Sequence, residues 1–421
     1  MLRSASRPAR YGALSFVALL VGLWLRSSSK RSLSDGPTWK SFLATASCGV
    51  FNHTLEPDKE SLKYCEDIVH WESASLVIAS CDPGRRDWNT VMGPLRNPNP
   101  RGKLYIYHLD RPQPTTTTTT TSSLPNLYTS TLRHFPANQD FHPLGLELFV
   151  HHSQAARLFV VNHRRDRSVV EVFELSVPDG QTKLDLTWSR TLTHPLLNTP
   201  NSIVALSPTS LLITNDHLIN RRTGWPLGAL LHTLETLTRF PGGNVISLDF
   251  DDNNGEEKGA VEIRWLAFAN GIVLTRDRTT LVIASSITRQ IFFYHVKPVS
   301  GNRLTFEYAS ARKLSFGPDN LSLDQEDELV VAGHPSAPKL FLWVYDEKHF
   351  APAGSAIAHL DLKQGKEAGV RMVFEDTGDF FASSSTGLML KEQGGRRRRL
   401  IASGLYHTGL LECVEEDVKV S

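Results

Sequence analysis

The sequence predicts an all-β fold, a six-bladed β-propeller preceded by an N-terminal signal-anchor segment. Three observations predict it. An apolar, β-branched run ending in small or polar residues occurs six times, at 76–81, 158–163, 211–216, 281–286, 329–334 and 400–405. Most runs are followed by a second strand-like run, at 104–109, 169–175, 291–296, 340–345 and 410–414; the segment after 211 is the least clear. Amphipathic helices are scarce, with one expected over 225–238 and a short turn over 56–65. A strand-like unit that returns six times is best accommodated by a ring of small sheets, which leaves no long sheet edge exposed. The polar residues ending each buried run would then gather around one axis.

The spacing fits. Successive runs begin 82, 53, 70, 48 and 71 residues apart, and a blade of four short strands takes about 40–50 residues plus its loops. The 421 residues, 40% hydrophobic, are ample for one large core. The expected organisation is an anchor and linker over 1–35 and a propeller over 45–416.

The balance of 45 basic against 44 acidic residues gives a formal net charge of +1, which lacks the basic footprint of a nucleic-acid binder. Four cysteines are too few for a disulfide scaffold but suffice for one or two staples in an oxidising compartment. The N-terminus points to such a compartment. Arg3, Arg7 and Arg10 precede an apolar stretch over 11–25, followed by Arg26, Lys30 and Arg31. Fifteen residues fall short of the roughly 20 of a spanning helix and suit a signal peptide or a short signal anchor. The expected location is the secretory pathway, either as a single-pass membrane protein or as a secreted one. The sequon Asn52-His53-Thr54 fits a lumenal domain. Residues 26–44 read as a linker, 113–124 as a threonine-rich solvated loop, and 394–399, with four arginines, as a basic hairpin loop.

Polar clusters sit where strands end or turn: Glu66-Asp67, His142 to Gly145, Asn162-His163, Asn201-Ser202, Asn215 to His217, Asn270-Gly271 and Asp319-Asn320. Singly, each is explained by turn chemistry or strand capping. Together they offer the side-chain oxygens a hard cation takes.

At these residues the chain resembles the paraoxonase/arylesterase family of calcium-dependent lactonases. The resemblance rests on segments 65–68, 158–163 with 169–173, 201–205, 214–217, 268–272, and 319–322 followed by 333–335, in the family's order. It implies a catalytic Ca2+ held by Glu66, Asn201, Asn270, Asp319 and Asn320, acting on the carbonyl of a small lactone or ester. It further implies a second, structural calcium using Asp67, the backbone near Leu146, and an aspartate where this chain has Ser202. The family's paired histidines correspond to His163 and to position 144, which is leucine here. His142 lies about 6–7 Å along the strand from that position. His163, His217 and Asp319 are therefore the candidate catalytic residues. The resemblance also implies a disulfide joining Cys48 to Cys413, with Cys65–Cys81 as a local staple. Asn320-Leu-Ser322, formally a sequon, reads as a ligand. Three readings stay open: a calcium-dependent hydrolase, a membrane-tethered propeller that binds metal or ligand without catalysis, and a lyase or synthase on the same fold.

Overall fold

The computed structural model describes residues 39–41, 46–52, 61–110, 126–177, 183–224, 226–253, 255–298, 304–362, 369–391 and 398–415. The expected anchor, most of the linker, the threonine run, most of the 56–65 turn and the centre of the arginine hairpin lie outside the described residues. Among the described residues no helix is long and apolar enough to cross a membrane.

Six sheets form the ring, antiparallel throughout except where the two-residue strand Leu132–Arg133 adds in parallel to the outer edge of blade 2. Blade 1 runs Cys65–Trp71, Leu76–Cys81, Lys103–His108 and Leu127–Thr129, from the axis outward. Blade 2 runs Pro143–His152, Ala155–His163, Ser168–Ser176 and Leu186–Leu192. Blade 3 runs Pro200–Ser207, Ser210–Asn215, Gly243–Phe250 and Glu257–Leu266. Blade 4 runs Ala269–Leu274, Thr280–Ser285, Gln290–Pro298 and Leu304–Lys313. Blade 5 runs Gly317–Leu323, Leu329–His334, Ser355–Leu360 and Arg371–Asp376. Blade 6 takes Ser384–Lys391, Arg398–Gly404 and Leu410–Glu415, and is completed by Ala46–Phe51 from the start of the domain. That N-terminal strand closes the ring, and Cys48–Cys413 crosslinks it to its neighbour at paired positions. Trp39–Ser41, inside the expected linker, instead pairs with the outer strand of blade 5.

The six apolar runs are the second strands of the six blades, not the strands lining the axis. Their continuous apolar character follows from burial on both faces. In blade 1, Ile78 packs into the cluster shared with blade 2 and Val77 into the cluster shared with blade 6. Leu211 and Ile213 face blade 2, and Leu212 faces blade 4. A strand covered on both sides shows no alternation.

Two other expectations change. Residues 340–345 belong to a helix, Ala337–Tyr345, and the third strand of blade 5 is Ser355–Leu360. Ser336 caps that helix by accepting from the Lys339 amide at 3.4 Å, and Pro338 sits in its first turn, a start signal that outweighs the β-like composition. After 211 the chain forms the expected helix, Leu227–Thr238, before the third strand of blade 3. The three long intervals, 82, 70 and 71 residues, thus belong to blades 1, 3 and 5. In each, the connection between second and third strands is enlarged: by a loop at 82–102 in blade 1 and by a helix in the other two.

Candidate metal centre and its cavity

The predicted ligands sit on inner strands, each at a place where the strand's register against the second strand breaks. Every blade has such an irregularity near the start of its inner strand, at Cys65/Asp67, Pro143/Leu146, Pro200/Ile203, Ala269/Ile272, Pro318/Leu321 and Ser384/Thr386. A bulge frees a residue from the ladder and re-aims its side chain. Here the freed positions include Glu66, Asn201, Asn270, Asp319 and Asn320. Asn270-Gly271 and Asp319-Asn320 are therefore strand residues and not turns. Gly271 is required by close approach of two inner strands: an added Cβ would lie 2.6 Å from the Leu321 nitrogen. Gly145 likewise has the Asn201 carbonyl 2.2 Å from where a Cβ would be.

The side chains leave a pattern of unmet oxygens. Asn320 Nδ2 donates to Glu66 Oε1 (2.9 Å) and to Thr386 Oγ1 (3.0 Å). Asn270 Nδ2 donates to Asp319 Oδ1 (2.5 Å) and to Ser286 Oγ (2.9 Å). Asn201 Nδ2 faces Asp216 Oδ2 at 3.4 Å. Glu66 Oε2 and the Oδ1 atoms of Asn201, Asn270 and Asn320 are buried with no hydrogen-bond partner. Among the described residues five buried side-chain oxygens are orphaned, and four of them are these. Such groups are normally satisfied. Four on the inner strands of blades 1, 3, 4 and 5 form the donor set a hard cation would complete. Electrostatics agree. Burial, then the neighbouring Asp67 and Asp319, hold the Glu66 carboxyl well above its ordinary range, so the carboxylate needs an opposing charge to ionise.

Asp67 differs. Its Oδ2 accepts from the Leu146 amide at 2.7 Å, and its Oδ1 from the Ile68 amide (2.8 Å) and the Thr386 hydroxyl (2.7 Å). Protein donors satisfy both oxygens, and Ser202 supplies no carboxylate. The residues at the second position do not fit a calcium site as those above do. One further group, Asp324, Glu328 and His359, brings ligand-type atoms together. There His359 Nε2 faces Asp324 Oδ2 (3.0 Å) and Glu328 Oε2 (3.2 Å), while Arg371 donates to Nδ1. With Nδ1 accepting, Nε2 carries the proton, so the group is a hydrogen-bonded network.

The metal-side residues Glu66, Asn201, Asn270 and Asp319 form part of a cavity of about 100 Å³. Its other walls are mostly apolar: Met92 from the blade 1 loop, Thr236 from the blade 3 helix, Leu340 and Phe341 from the blade 5 helix, and Phe268, Leu405 and Leu144 from blade ends and an inner strand. The three enlarged connections thus build the cap. Arg86 holds it, with its guanidinium carbon 4.7 Å from the Trp343 ring centre and a 3.1 Å pair to Glu347.

The predicted histidines do not reach this cavity. His163 is buried; its Nε2 faces the Pro200 carbonyl at 2.7 Å and its Nδ1 takes a hydrogen bond from Thr90. His217 places Nδ1 on Asp216 Oδ1 (2.8 Å) and Nε2 on Thr236 Oγ1 (2.7 Å), stacked 3.8 Å from His232. Burial lowers both to about 3. His142 is held by Asp82 Oδ2 (2.9 Å) and the Pro98 carbonyl (3.0 Å). The histidine that does line the cavity is His334, which sequence reasoning noted only as part of a matching string. Its Nε2 lies 2.9 Å from Asp319 Oδ2, and its Nδ1 is buried without a partner. It ends a second strand, as His163 does, but only the fold sets which strand end faces the axis.

Both expected disulfides are present, Cys48–Cys413 and Cys65–Cys81. The second clamps the first residue of the Glu66 strand to its neighbour.

Residues 94–410 match the family described as Arylesterase. The chain is 26% identical over 271 residues to serum paraoxonase/arylesterase 2 of Canis lupus familiaris, covering 64% of this chain and 68% of that protein. The human serum paraoxonase/arylesterase 2 gives the same identity and coverage. Human serum paraoxonase/arylesterase 1 is 25% identical over 317 residues, covering 75% and 77%.

Proposed function

The chain belongs to the paraoxonase/arylesterase family, and from that premise we propose that it is a calcium-dependent hydrolase of lactones or aryl esters. The observation that carries the proposal is the set of four orphaned oxygens, on Glu66, Asn201, Asn270 and Asn320, the first three of which belong to residues lining the polar end of one largely apolar cavity. Glu66, Asn201, Asn270, Asp319 and Asn320 would hold the cation. Two carboxylates match its charge, and three amides add oxygens without neutralising it further. When bound, calcium supplies a Lewis acid for the substrate carbonyl and for the negative charge that develops on its oxygen.

This chain's own residues supply the rest. The apolar wall from Leu144, Phe268, Leu340 and Phe341 holds the substrate's hydrocarbon part and excludes bulk water. Asp319 fixes the His334 ring through Nε2, leaving Nδ1 unpaired as a proton acceptor. A water attacking the carbonyl would pass its proton to that nitrogen, and the imidazolium formed would be held by Asp319. His163 and His217, with both ring nitrogens engaged, support the site from behind.

A membrane-tethered binder without catalysis is favoured by one observation, Leu144 in the cavity wall where the family has a histidine. One experiment separates the readings. Full-length protein with calcium should hydrolyse members of a lactone and aryl-ester panel, and chelation should abolish turnover reversibly. Stoichiometric calcium binding with no turnover on any member would leave the binder. We further infer a secretory location, on the N-terminal apolar stretch and the two disulfides.

A further inference from the structure

Arg221 carries a buried charge to which no carboxylate is bonded among the described residues. Four described arginines have a buried side-chain nitrogen without a partner: Arg86, Arg164, Arg221 and Arg399. Three of them pair with a carboxylate, Glu347 at 3.1 Å, Glu171 at 2.6 Å and Glu412 at 3.3 Å respectively. Arg221 forms no ion pair among the described residues. Its Nη2 donates to the Val91 carbonyl (3.1 Å), its Nη1 to Thr233 Oγ1 (3.4 Å), and its Nε–H to nothing. Only 4% of the residue is exposed. Of the acidic groups that act on it, Tyr345, Asp216 and Tyr406, the one carboxylate, Asp216, is bonded to His217 and Asn201 instead. A buried guanidinium without a directly bonded counter-charge is costly.

This group lines a side cavity of about 40 Å³ together with Thr233 and Thr236. The side cavity shares Val91, Met92, Thr236, Phe268 and Phe341 with the cavity above the metal centre. One water-sized group takes about 10–15 Å³ on this measure, so the space admits a carboxylate and not a ring. The arrangement is bipolar: carbonyl chemistry at Glu66, Asn270 and Asp319, an apolar passage, and a cation without a bonded carboxylate at the far side. Guanidinium is suited to carboxylate recognition.

We propose that Arg221 makes the site selective for substrates whose hydrocarbon chain ends in a carboxylate, such as half-esters of dicarboxylic acids or lactones bearing a carboxyl group. The proposal rests on the hydrolase reading for its substrate and on Arg221 alone for its selectivity. Calcium-loaded full-length protein is assayed on nitrophenyl butyrate and nitrophenyl hemiglutarate, as wild type, Arg221→Lys and Arg221→Met, with melting curves confirming the fold. Glutarate binding is measured separately by calorimetry. Wild type should prefer the hemiglutarate by about tenfold in kcat/KM, through KM; Arg221→Met should bring the ratio near one and Arg221→Lys keep part of it. Glutarate should bind wild type and not Arg221→Met. Turnover of both esters with no preference, together with no glutarate binding, overturns the role of Arg221 and leaves the hydrolase. Glutarate binding that needs Arg221, with neither ester nor any member of the lactone panel turned over, upholds Arg221 and removes the hydrolase.

Discussion

Asn320 donates to Glu66 across 2.9 Å although 254 positions separate them in the chain. That bond turns the Asn320 oxygen and the second Glu66 oxygen into partnerless acceptors, which is what a cation site requires before the cation arrives. The layer containing Asp67 is satisfied internally instead.

Glu66→Gln keeps an acceptor for Asn320 and removes the charge. Calcium affinity should fall by about 100-fold, with turnover lost in proportion. Asp67→Asn should leave a stoichiometry of one calcium and lower stability by about 1–3 kcal/mol, because the Leu146 or Ile68 amide loses its acceptor. Calorimetry and thermal melting check both. Two calcium ions per wild-type chain would contradict the contrast.

His334→Ala should lower kcat by about 10²–10⁴ with little change in calcium affinity. His163→Ala should act on stability, by about 1–3 kcal/mol, since Thr90 and the Pro200 carbonyl lose a buried partner. Comparing kcat with the melting midpoint separates the two roles; a greater kcat loss in His163→Ala than in His334→Ala would reverse them.

Leu144→His places an imidazole in an apolar wall beside a His163 already bonded through both nitrogens. No more than about a twofold gain in kcat is expected. A large gain, measured on the best ester of the panel, would show that a second histidine limits this chain.

The chelated protein should lose stability as pH rises from about 6.5 to 8. Glu66 is raised well above its ordinary value by burial, and burial pushes Glu147 up to about 8. A carboxyl raised in the fold keeps a proton that the unfolded chain has released, so stability falls as pH climbs toward the folded value. Buried His163, His217 and His232, lowered to about 3, act oppositely, but only below their unfolded value of about 6.5. Calcium favours ionised Glu66, so the rise in melting temperature on adding calcium should grow across the same window. Melting curves at fixed ionic strength test this; a rise that shrinks with pH would contradict it.

Replacing Cys48 and Cys413 by serine should remove up to about 5 kcal/mol in the loop-entropy model, since the bond closes nearly the whole ring. Melting under oxidising and reducing conditions reads it. An unchanged midpoint would mean that the Ala46–Phe51 pairing alone closes blade 6.

The sequence made the ring legible through its second strands. Leu76–Cys81 and its five counterparts are buried on both faces, so each is written as an unbroken apolar run. The inner strands were not recognisable as strands, because their polar, bulged positions look like turns: Asn270-Gly271 has turn composition and strand geometry. The helix Ala337–Tyr345 was read as a strand because its apolar residues are β-like, although Ser336 and Pro338 announced it.

By itself the sequence determined a sixfold all-β repeat and a set of oxygen-bearing residues in a fixed order, because burial and ligand chemistry are written in residue types. Only the tertiary structure decided which oxygens are left unmet and which histidine faces the cavity. It also decided that Arg221 is buried with no carboxylate bonded to it among the described residues. Those properties depend on bulges, strand stagger and neighbours far apart in the chain, where an atom's partners are fixed by geometry and not by its identity.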